Sequence, residues 1–486
     1  MSEAQLISWI LIVPLLAAVG IFAAGKWPNL REAIGIISGI ILFGLVMQLG
    51  SIVDWDNATV VTLAEPVAGV TLALSLEPLG MIFALVASLL WPVTALYAIG
   101  YMRGNNEKNQ TRFFAAFAVS ISSAMGIALS ANMFTLFLFY EILTLATYPL
   151  VTHAGTDKAR KAGRTYLGIL IGTSVAFLLL AMIWTWQITG TLTFTPGGVF
   201  GNDADPMVLG VLLFLYMFGI GKAALMPIHR WLPAAMVAPT PVSALLHAVA
   251  VVKAGVFTVV KVVVYIFGTD LLSNLAASNW IFGIAATTII IASIIALRQD
   301  NLKRRLAYST VSQLSYVIMA AFILAPLSLM GATLHIVAHA FGKITLFFAA
   351  GSIYTAAHKT EISQLDGIGY KMPWTMGAFT IGALSMIGIP PLAGFLSKWY
   401  MLLGAWQTEH YMAMLVIIIS TLLNTAYFVP IIYAAWFKPP VDDAQHGEAP
   451  EAIVLALSIT ATLTLLLFFV PDIPLSLAEA IPGAGS

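Results

Sequence analysis

Apolar segments long enough to cross a bilayer recur along this chain, and they leave few folds open. A ~30 Å hydrocarbon layer needs about 20 apolar residues in a helix. Such runs lie near 4–24, 33–53, 78–101, 113–130, 132–151, 165–187, 207–228, 241–266, 279–297, 305–325, 329–356, 374–404, 411–437 and 450–470, fourteen in all. Helices are the expected form, because lipid offers backbone groups no partner. The expected fold class is therefore an all-α polytopic membrane protein. Composition agrees, since 60% of the 486 residues are hydrophobic and 9% are charged. So few charges cannot clothe a large soluble globule. With 22 basic and 22 acidic residues, no excess points to nucleic acid or disorder. The absence of cysteine excludes disulfides, thiolate-held zinc, iron–sulfur clusters and thiol catalysis. The first apolar run lacks a basic leader and is long enough to span, so it reads as a helix and not a cleaved signal.

Loop charge tests this count through the positive-inside rule. The odd loops carry Lys26 and Arg31; Arg103, Lys108 and Arg112; Lys158, Arg160, Lys161 and Arg164; Arg230; Arg298, Lys303, Arg304 and Arg305; Lys359 and Lys371; and Lys438. Those are 17 of the 22 basic residues, and the even loops carry none. The second and sixth loops hold Asp54, Asp56, Glu65, Asp203 and Asp205 instead. A wrong count would scramble this alternation. Both termini are then expected on the non-cytoplasmic side of a prokaryotic cell membrane.

The other five basic residues fall inside expected spans: Lys222, Lys253, Lys261, Lys343 and Lys398. None is arginine. Arginine stays charged at any relevant pH, whereas buried lysine exchanges its proton near neutrality. Of the acidic residues, only Glu141 falls clearly within a span, away from its ends. Charge at mid-membrane costs at least ~2.5–3.5 kcal/mol per residue, so such groups are functional suspects. Lys261 is expected near the outer interface, where snorkelling accounts for it. Lys253 lies about 18 Å along the same helix from Pro241, too deep to snorkel. His247 sits six residues earlier on another face, and a local bulge would bring the two together. His335, His339 and Lys343 recur at i, i+4 and i+8 on one helix face. A metal or haem reading of the two histidines is weak, because the lysine repels a cation and no carboxylate completes the shell. A polar stripe that passes protons fits better.

Lys222 lies in FGIGKAALMPIHRWLPAAMVAPTP, ahead of Pro227 and Pro233. Lys398 lies in SMIGIPPLAGFLSKWYML, after Pro390 and Pro391. Each lysine therefore sits beside an interrupted helix, where freed backbone groups bind ions or order water. The seventh and twelfth spans hold them. An offset of five helices is odd, so a repeat of that period places its copies in opposite orientation. The expected division is residues 1–112 for helices one to three, 113–266 and 279–437 for two inverted repeats, and 450–486 for helix fourteen and the tail.

At this point the motifs resemble a known family. KAALMPIHRWLPAAMVAPTPVSALLHAVAVVKAG is similar to the core motif of the antiporter-like subunits of respiratory complex I, Mrp-type multi-subunit cation/proton antiporters and membrane-bound hydrogenases. RQDNLKRRLAYSTVSQLSY, HIVAHAFGKITLFFAAGSIY and GIPPLAGFLSKWYML resemble the same family's ninth-to-tenth, eleventh and twelfth helices. The resemblance covers about residues 70–437 and implies fourteen helices with inverted repeats of helices four to eight and nine to thirteen. It also implies that Glu141 pairs with Lys222. The path then continues through His247 and Lys253, then His339 and Lys343, and ends at Lys398. Length and motif suit the D-type Mrp subunit best. A mid-sized antiporter-like subunit of complex I or a hydrogenase is the alternative, and a non-transporting scaffold is disfavoured by the costly intramembrane lysines.

The expected activity is proton translocation along a mid-membrane chain of Glu141, Lys222, His247, Lys253, His335, His339, Lys343 and Lys398, bridged by water. The chain is expected to be a transporter subunit that carries no electrons and needs no cofactor or bound metal. In a complex I-like assembly it would be a non-redox subunit of an NADH:quinone oxidoreductase. Expected partners are other membrane subunits, the lipid bilayer, protons and Na+. No cluster of intramembrane carboxylates offers Na+ its oxygen ligands, so the cation is expected to cross in a partner subunit.

Overall fold

The computed structural model describes residues 1–201, 204–440 and 446–485. Asp203, expected in the sixth loop, lies outside the described residues. The chain runs as α1 (Glu3–Ala23), α2 (Pro28–Ile52), β1 (Val61–Val67), β2 (Val70–Leu74), α3 (Pro78–Gly104), α4 (Gln110–Ala128) and α5 (Met133–Val151). It continues as α6 (Asp157–Thr189), α7 (Pro206–Gly219), α8 (Thr240–Phe267), α9 (Ala276–Leu297), α10 (Leu302–Ala321) and α11 (Pro326–Ala357). Then follow α12 (Pro373–Ile387), α13 (Ala393–Gln407), α14 (Tyr411–Phe437), α15 (Glu451–Phe469) and the short α16 (Asp472–Glu479).

Eleven of these helices are long and apolar enough to cross a membrane among the described residues. The three other expected spans coincide with helices of different character. The seventh is broken after α7, the tenth is α10 with its many serines, and the twelfth is divided into α12 and α13. Several helices outrun their apolar windows. Thus α2 begins at Pro28 and α6 at Asp157, so charged first turns extend each helix beyond its apolar stretch. One acidic residue expected in a loop is therefore helical: Glu32 is buried in α2, paired with Arg31 and Arg103.

Local chemistry starts and stops the helices. Proline opens α2, α3, α7, α11 and α12, where its missing N–H costs nothing. Asn132, Asp205 and Asn301 cap α5, α7 and α10 with side-chain oxygens. The second loop folds into an antiparallel β1–β2 hairpin, an element the apolar-run reading does not contain. VTLAEPVAGVTLAL alternates with period two and turns at Gly69, whose φ is +80°. The hairpin docks on α5 through Thr135 Oγ1, which accepts from Ala73 N.

The core is built around two helices. Both α8 and α11 are entirely buried across their apolar windows, whereas well under half of the window is buried in α1, α2 and α6. An all-round apolar helix belongs at the centre of the bundle. Accordingly α11 packs against α3, α8, α10, α12, α13 and α15. These two helices carry Lys253, Lys261, His247, His335, His339 and Lys343. Gly255 lets α8 press on the broken seventh span, since a Cβ there would lie 2.3 Å from Lys222 C and Ala223 N.

Glycine in a helix normally weakens it by about 0.5–1 kcal/mol relative to alanine. Gly283 in α9 has open space around it, so Gly283→Ala should stabilise the purified protein by roughly that amount. Gly255→Ala should do the opposite, because backbone must move to admit the methyl group. Thermal unfolding in detergent, followed by tryptophan fluorescence, measures both signs.

Candidate functional site

Lys222 lies in the break of the seventh span, in a single 3-10 turn Gly221–Ala223 closed by Ala224 in the left-handed region (φ +56°). The side chain is fully buried. Its Nζ donates to Tyr140 O at 2.8 Å and Thr144 Oγ1 at 2.6 Å, and sits 3.1 Å from the Tyr140 ring centroid. Tyr140 Oη accepts from Lys222 N, and Trp231 Nε1 donates to Gly221 O, so the break is held from both sides. Glu141 lies on α5 within electrostatic reach of Lys222, beside Ser174. Among the described residues, no ion pair within 4.0 Å joins them. One carboxylate oxygen, Glu141 Oε1, is buried without a hydrogen-bond partner. Neutral oxygens hold the ammonium, and the carboxylate stands off from it. Ser174 begins a π turn in α6, Ser174–Leu178, of the kind that recurs at functional sites.

His247 lies in a second π turn, Leu245–Val249 of α8. The expected bulge is present, but it does not join His247 to Lys253. Both ring nitrogens of His247 are buried without a partner, and the ring packs on Phe347 with centroids 4.6 Å apart. Lys253 instead meets His339 across the α8–α11 interface, with Nζ 2.6 Å from Nδ1. Lys253 donates this bond when His339 carries its own proton on Nε2.

His335, one turn away, has both nitrogens engaged. Nε2–H donates to Gln313 Oε1 at 2.9 Å, and Nδ1 contacts Ser397 Oγ at 2.8 Å. The two histidine rings lie 6.0 Å apart, and their bonded nitrogens serve different partners. Lys343 Nζ donates to Ser309 Oγ at 2.6 Å. From there the bonds run on: Ser309 Oγ to Tyr427 Oη at 2.9 Å, Tyr427 to Asn424, and Asn424 Nδ2 to Met386 O at 3.4 Å. Lys398 Nζ donates to that same Met386 O at 3.1 Å and to Ile387 O at 2.8 Å. These carbonyls end α12, where the helix stops at Gly388 (φ +93°) before Pro390 and Pro391. The break in the twelfth span thus supplies the oxygens that receive the lysine. A hydrogen-bonded chain links Lys343 to Lys398, and His335 reaches the same end through Ser397.

The expected residues therefore converge in two groups. Lys253, His339, His335, Lys343 and Lys398 form one buried group, within which bonds join Lys253 to His339 and, separately, Lys343 to Lys398. Lys222 and Glu141 form another, against which α8 packs at Gly255. Tyr140, Thr144, Ser309, Gln313, Ser397, Asn424 and Tyr427 are connecting residues that charge-based reading passes over. The serine-rich stretch of α10, STVSQLSY, marks two of them, Ser309 and Gln313, in the sequence.

Lys261 needs correction. It does not snorkel, because its side chain is fully buried. Its Nζ lies 3.2 Å from Glu77 Oε1, donates to Ser130 O at 2.8 Å, and stands 3.9 Å from the Phe194 ring centroid. The β1–β2 hairpin delivers Glu77 to the head of α3, and this covers the lysine that an isolated helix would expose.

Helical spans around a buried lysine–histidine network define a polytopic membrane protein of the ion-translocating kind. The family model described as NADH:quinone oxidoreductase/Mrp antiporter, TM matches residues 130–424. The chain belongs to this family. NADH-quinone oxidoreductase subunit N of Desulforudis audaxviator is 35% identical over 361 residues, spanning 73% of this chain and 71% of that protein. The D-type subunit of the Na(+)/H(+) antiporter of Alkalihalophilus pseudofirmus is 26% identical over 475 residues, spanning 95% of this chain and 93% of that one. A chain of the Mrp complex from a Dietzia species shares the fold, with a TM-score of 0.88, 20% identity and 98% of that chain covered.

Breaking one side of a buried ion pair costs about 3–5 kcal/mol, whereas neutralising both sides costs far less. Lys261→Met should therefore destabilise the protein strongly, and Lys261→Met with Glu77→Gln should recover much of the loss. Unfolding of the purified variants in detergent reads both. A snorkelling lysine would leave all of them alike.

Proposed function

We propose that this chain is the proton-translocating membrane subunit of a multi-subunit Mrp-type Na+/H+ antiporter. The observation that carries the reading is the buried Lys253–His339 contact between α8 and α11, with the separate Lys343–Lys398 chain of bonds beginning one turn further along α11. Fourteen spans, inverted repeats at 113–266 and 279–437, and termini on the non-cytoplasmic side of a prokaryotic cell membrane belong to the same proposal. The paired broken helices and the loop charges support it.

Protons need only transient holders at mid-depth. Glu141 near Lys222 keeps a proton on the ammonium, and withdrawal of that carboxylate frees it. Tyr140 and Thr144 remain as neutral acceptors, so the amine is not stranded. Lys253 and His339 pass a proton between α8 and α11 across a 2.6 Å contact. Beyond them, Ser309 and Tyr427 can each donate and accept, as relay requires, while Asn424 and Lys398 both donate to Met386 O, so water carries the proton across that last step. Lys398 ends the path on two backbone carbonyls. Other membrane subunits, as in the Mrp complex of the structural relative, would complete the assembly and carry the cation. The second reading, a proton-pumping subunit of a complex I-type dehydrogenase or a hydrogenase, is favoured by the similarity to NADH-quinone oxidoreductase subunit N.

The test uses inside-out vesicles containing the whole complex. Na+ addition should move protons without any electron donor, and Lys222→Ala, Glu141→Ala and Lys253→Leu should each abolish that movement. Wild-type transport by Lys222→Ala and Lys253→Leu would overturn the proposal. Proton movement that needs an electron donor would select the second reading.

A further inference from the structure

A cavity lined by Lys398, Gly388 and Thr421 among others borders one end of the relay. Outside the relay, a second cavity of about 300 Å³ opens at the face that carries the basic loops. Tyr101, Glu107, Thr240, Lys303, Tyr354 and Lys359 line it. It lies between the end of α3, the start of α8 and the last turns of α11. Its charged groups are poised. Glu107 and Lys303 act on each other electrostatically. Lys303 Nζ donates to Ala238 O at 2.6 Å, at the threshold of α8. His153 Nε2 lies 3.8 Å from Glu107 Oε2. Burial lifts the Glu107 carboxyl above the ordinary range, and Lys303 opposes that. Burial lowers His153, and Arg112 adds to the effect.

Behind the cavity, Thr240, Ser243 and His247 recur at i, i+3 and i+7 on α8 and are almost wholly buried. Ser243 Oγ and both nitrogens of His247 have no partner among the protein groups. Buried polar atoms are rarely left so, and water satisfies them where protein does not. The polar line points from the cavity towards Lys253. His247 already feels Lys303 at one end and Lys343 at the other. Gly351 keeps the passage narrow, since a Cβ there would lie 2.8 Å from Thr240 and 2.0 Å from Tyr97 Oη.

We propose that this cavity is the proton intake, with Glu107 collecting the proton, Lys303 guarding the threshold, and water along Thr240, Ser243 and His247 delivering it to Lys253. The inference rests on the proton-translocation reading and adds where the proton comes in. The Glu107 carboxylate takes a proton from hydronium and returns it to water at the threshold. His247 accepts it at one ring nitrogen and releases one from the other, towards the Lys253–His339 pair. Delivery is thus at the centre of the relay and not at Lys222 or Lys398.

The chain has no cysteine, so an added thiol reports alone within it. Tyr354→Cys, in the whole complex in sealed vesicles, is treated with a membrane-impermeant cationic methanethiosulfonate from each side in turn. Ser363→Cys and Asn57→Cys, both at exposed positions, mark the two faces. Modification is expected only from the Ser363 face, and flux in the same vesicles should stop on labelling. The complex without the added thiol should be unaffected. Glu107→Gln should slow flux severalfold with normal protein content. If Tyr354→Cys fails to assemble, Thr240→Cys takes its place. Complete labelling with undiminished flux, labelling from the Asn57 face only, or no labelling from the Ser363 face overturns the intake. Should Lys222→Ala and Lys253→Leu still abolish flux in that case, the proposed function stands and only the intake falls.

Discussion

One contact organises this molecule: a lysine and a histidine facing each other where the two fully buried helices cross. Lys253 and His339 are both almost wholly buried there, and Lys253 Nζ meets His339 Nδ1 at 2.6 Å. A lone ammonium at that depth would cost several kcal/mol. Pairing it with imidazole, and not with carboxylate, avoids locking the charge in place. The same economy holds elsewhere. Lys343 rests on a serine hydroxyl, Lys398 on carbonyls freed by a helix break, and Lys222 on a carbonyl and a threonine. Neutral acceptors support an ammonium without trapping its proton.

The helix interruptions follow from that requirement. An unbroken helix uses its carbonyls internally and has only their second lone pairs to offer. Where Gly388 and the following prolines end α12, Met386 O and Ile387 O become available, and Lys398 occupies them. The break around Lys222 works differently, since that lysine lies within it and reaches out to α5. The π turns of α6 and α8 are milder versions, placing Ser174 and His247 at shifted angles on their helices. Lys261 marks the contrast. Its carboxylate partner fixes its charge, and the pair ties hairpin, α3 and α8 together near one end of the bundle.

Much of the relay was legible before any fold was known. Lysines without arginines in the apolar runs, the i, i+4, i+8 spacing on α11, and the Gly–Pro interruptions each named their residues. What failed to show was partnership. Lys253 and His339 are 86 residues apart, and Lys343 reaches Asn424 only through Ser309 and Tyr427. Hydroxyls carry no charge to flag them, and in helices serine and threonine most often bond their own backbone. Glu107 and Lys303 were hidden for the opposite reason, because loop charges read as orientation signals.

The sequence alone determined that the chain spans a membrane, which residues carry charge inside it, and where its helices break, because hydrocarbon thickness and backbone satisfaction act locally. Tertiary structure decided which oxygen or nitrogen each lysine meets, that Lys261 is covered, and that a cavity opens beside Thr240 at the start of α8. Those outcomes depend on how separate helices pack, and no local run of residues encodes the distance between two helices.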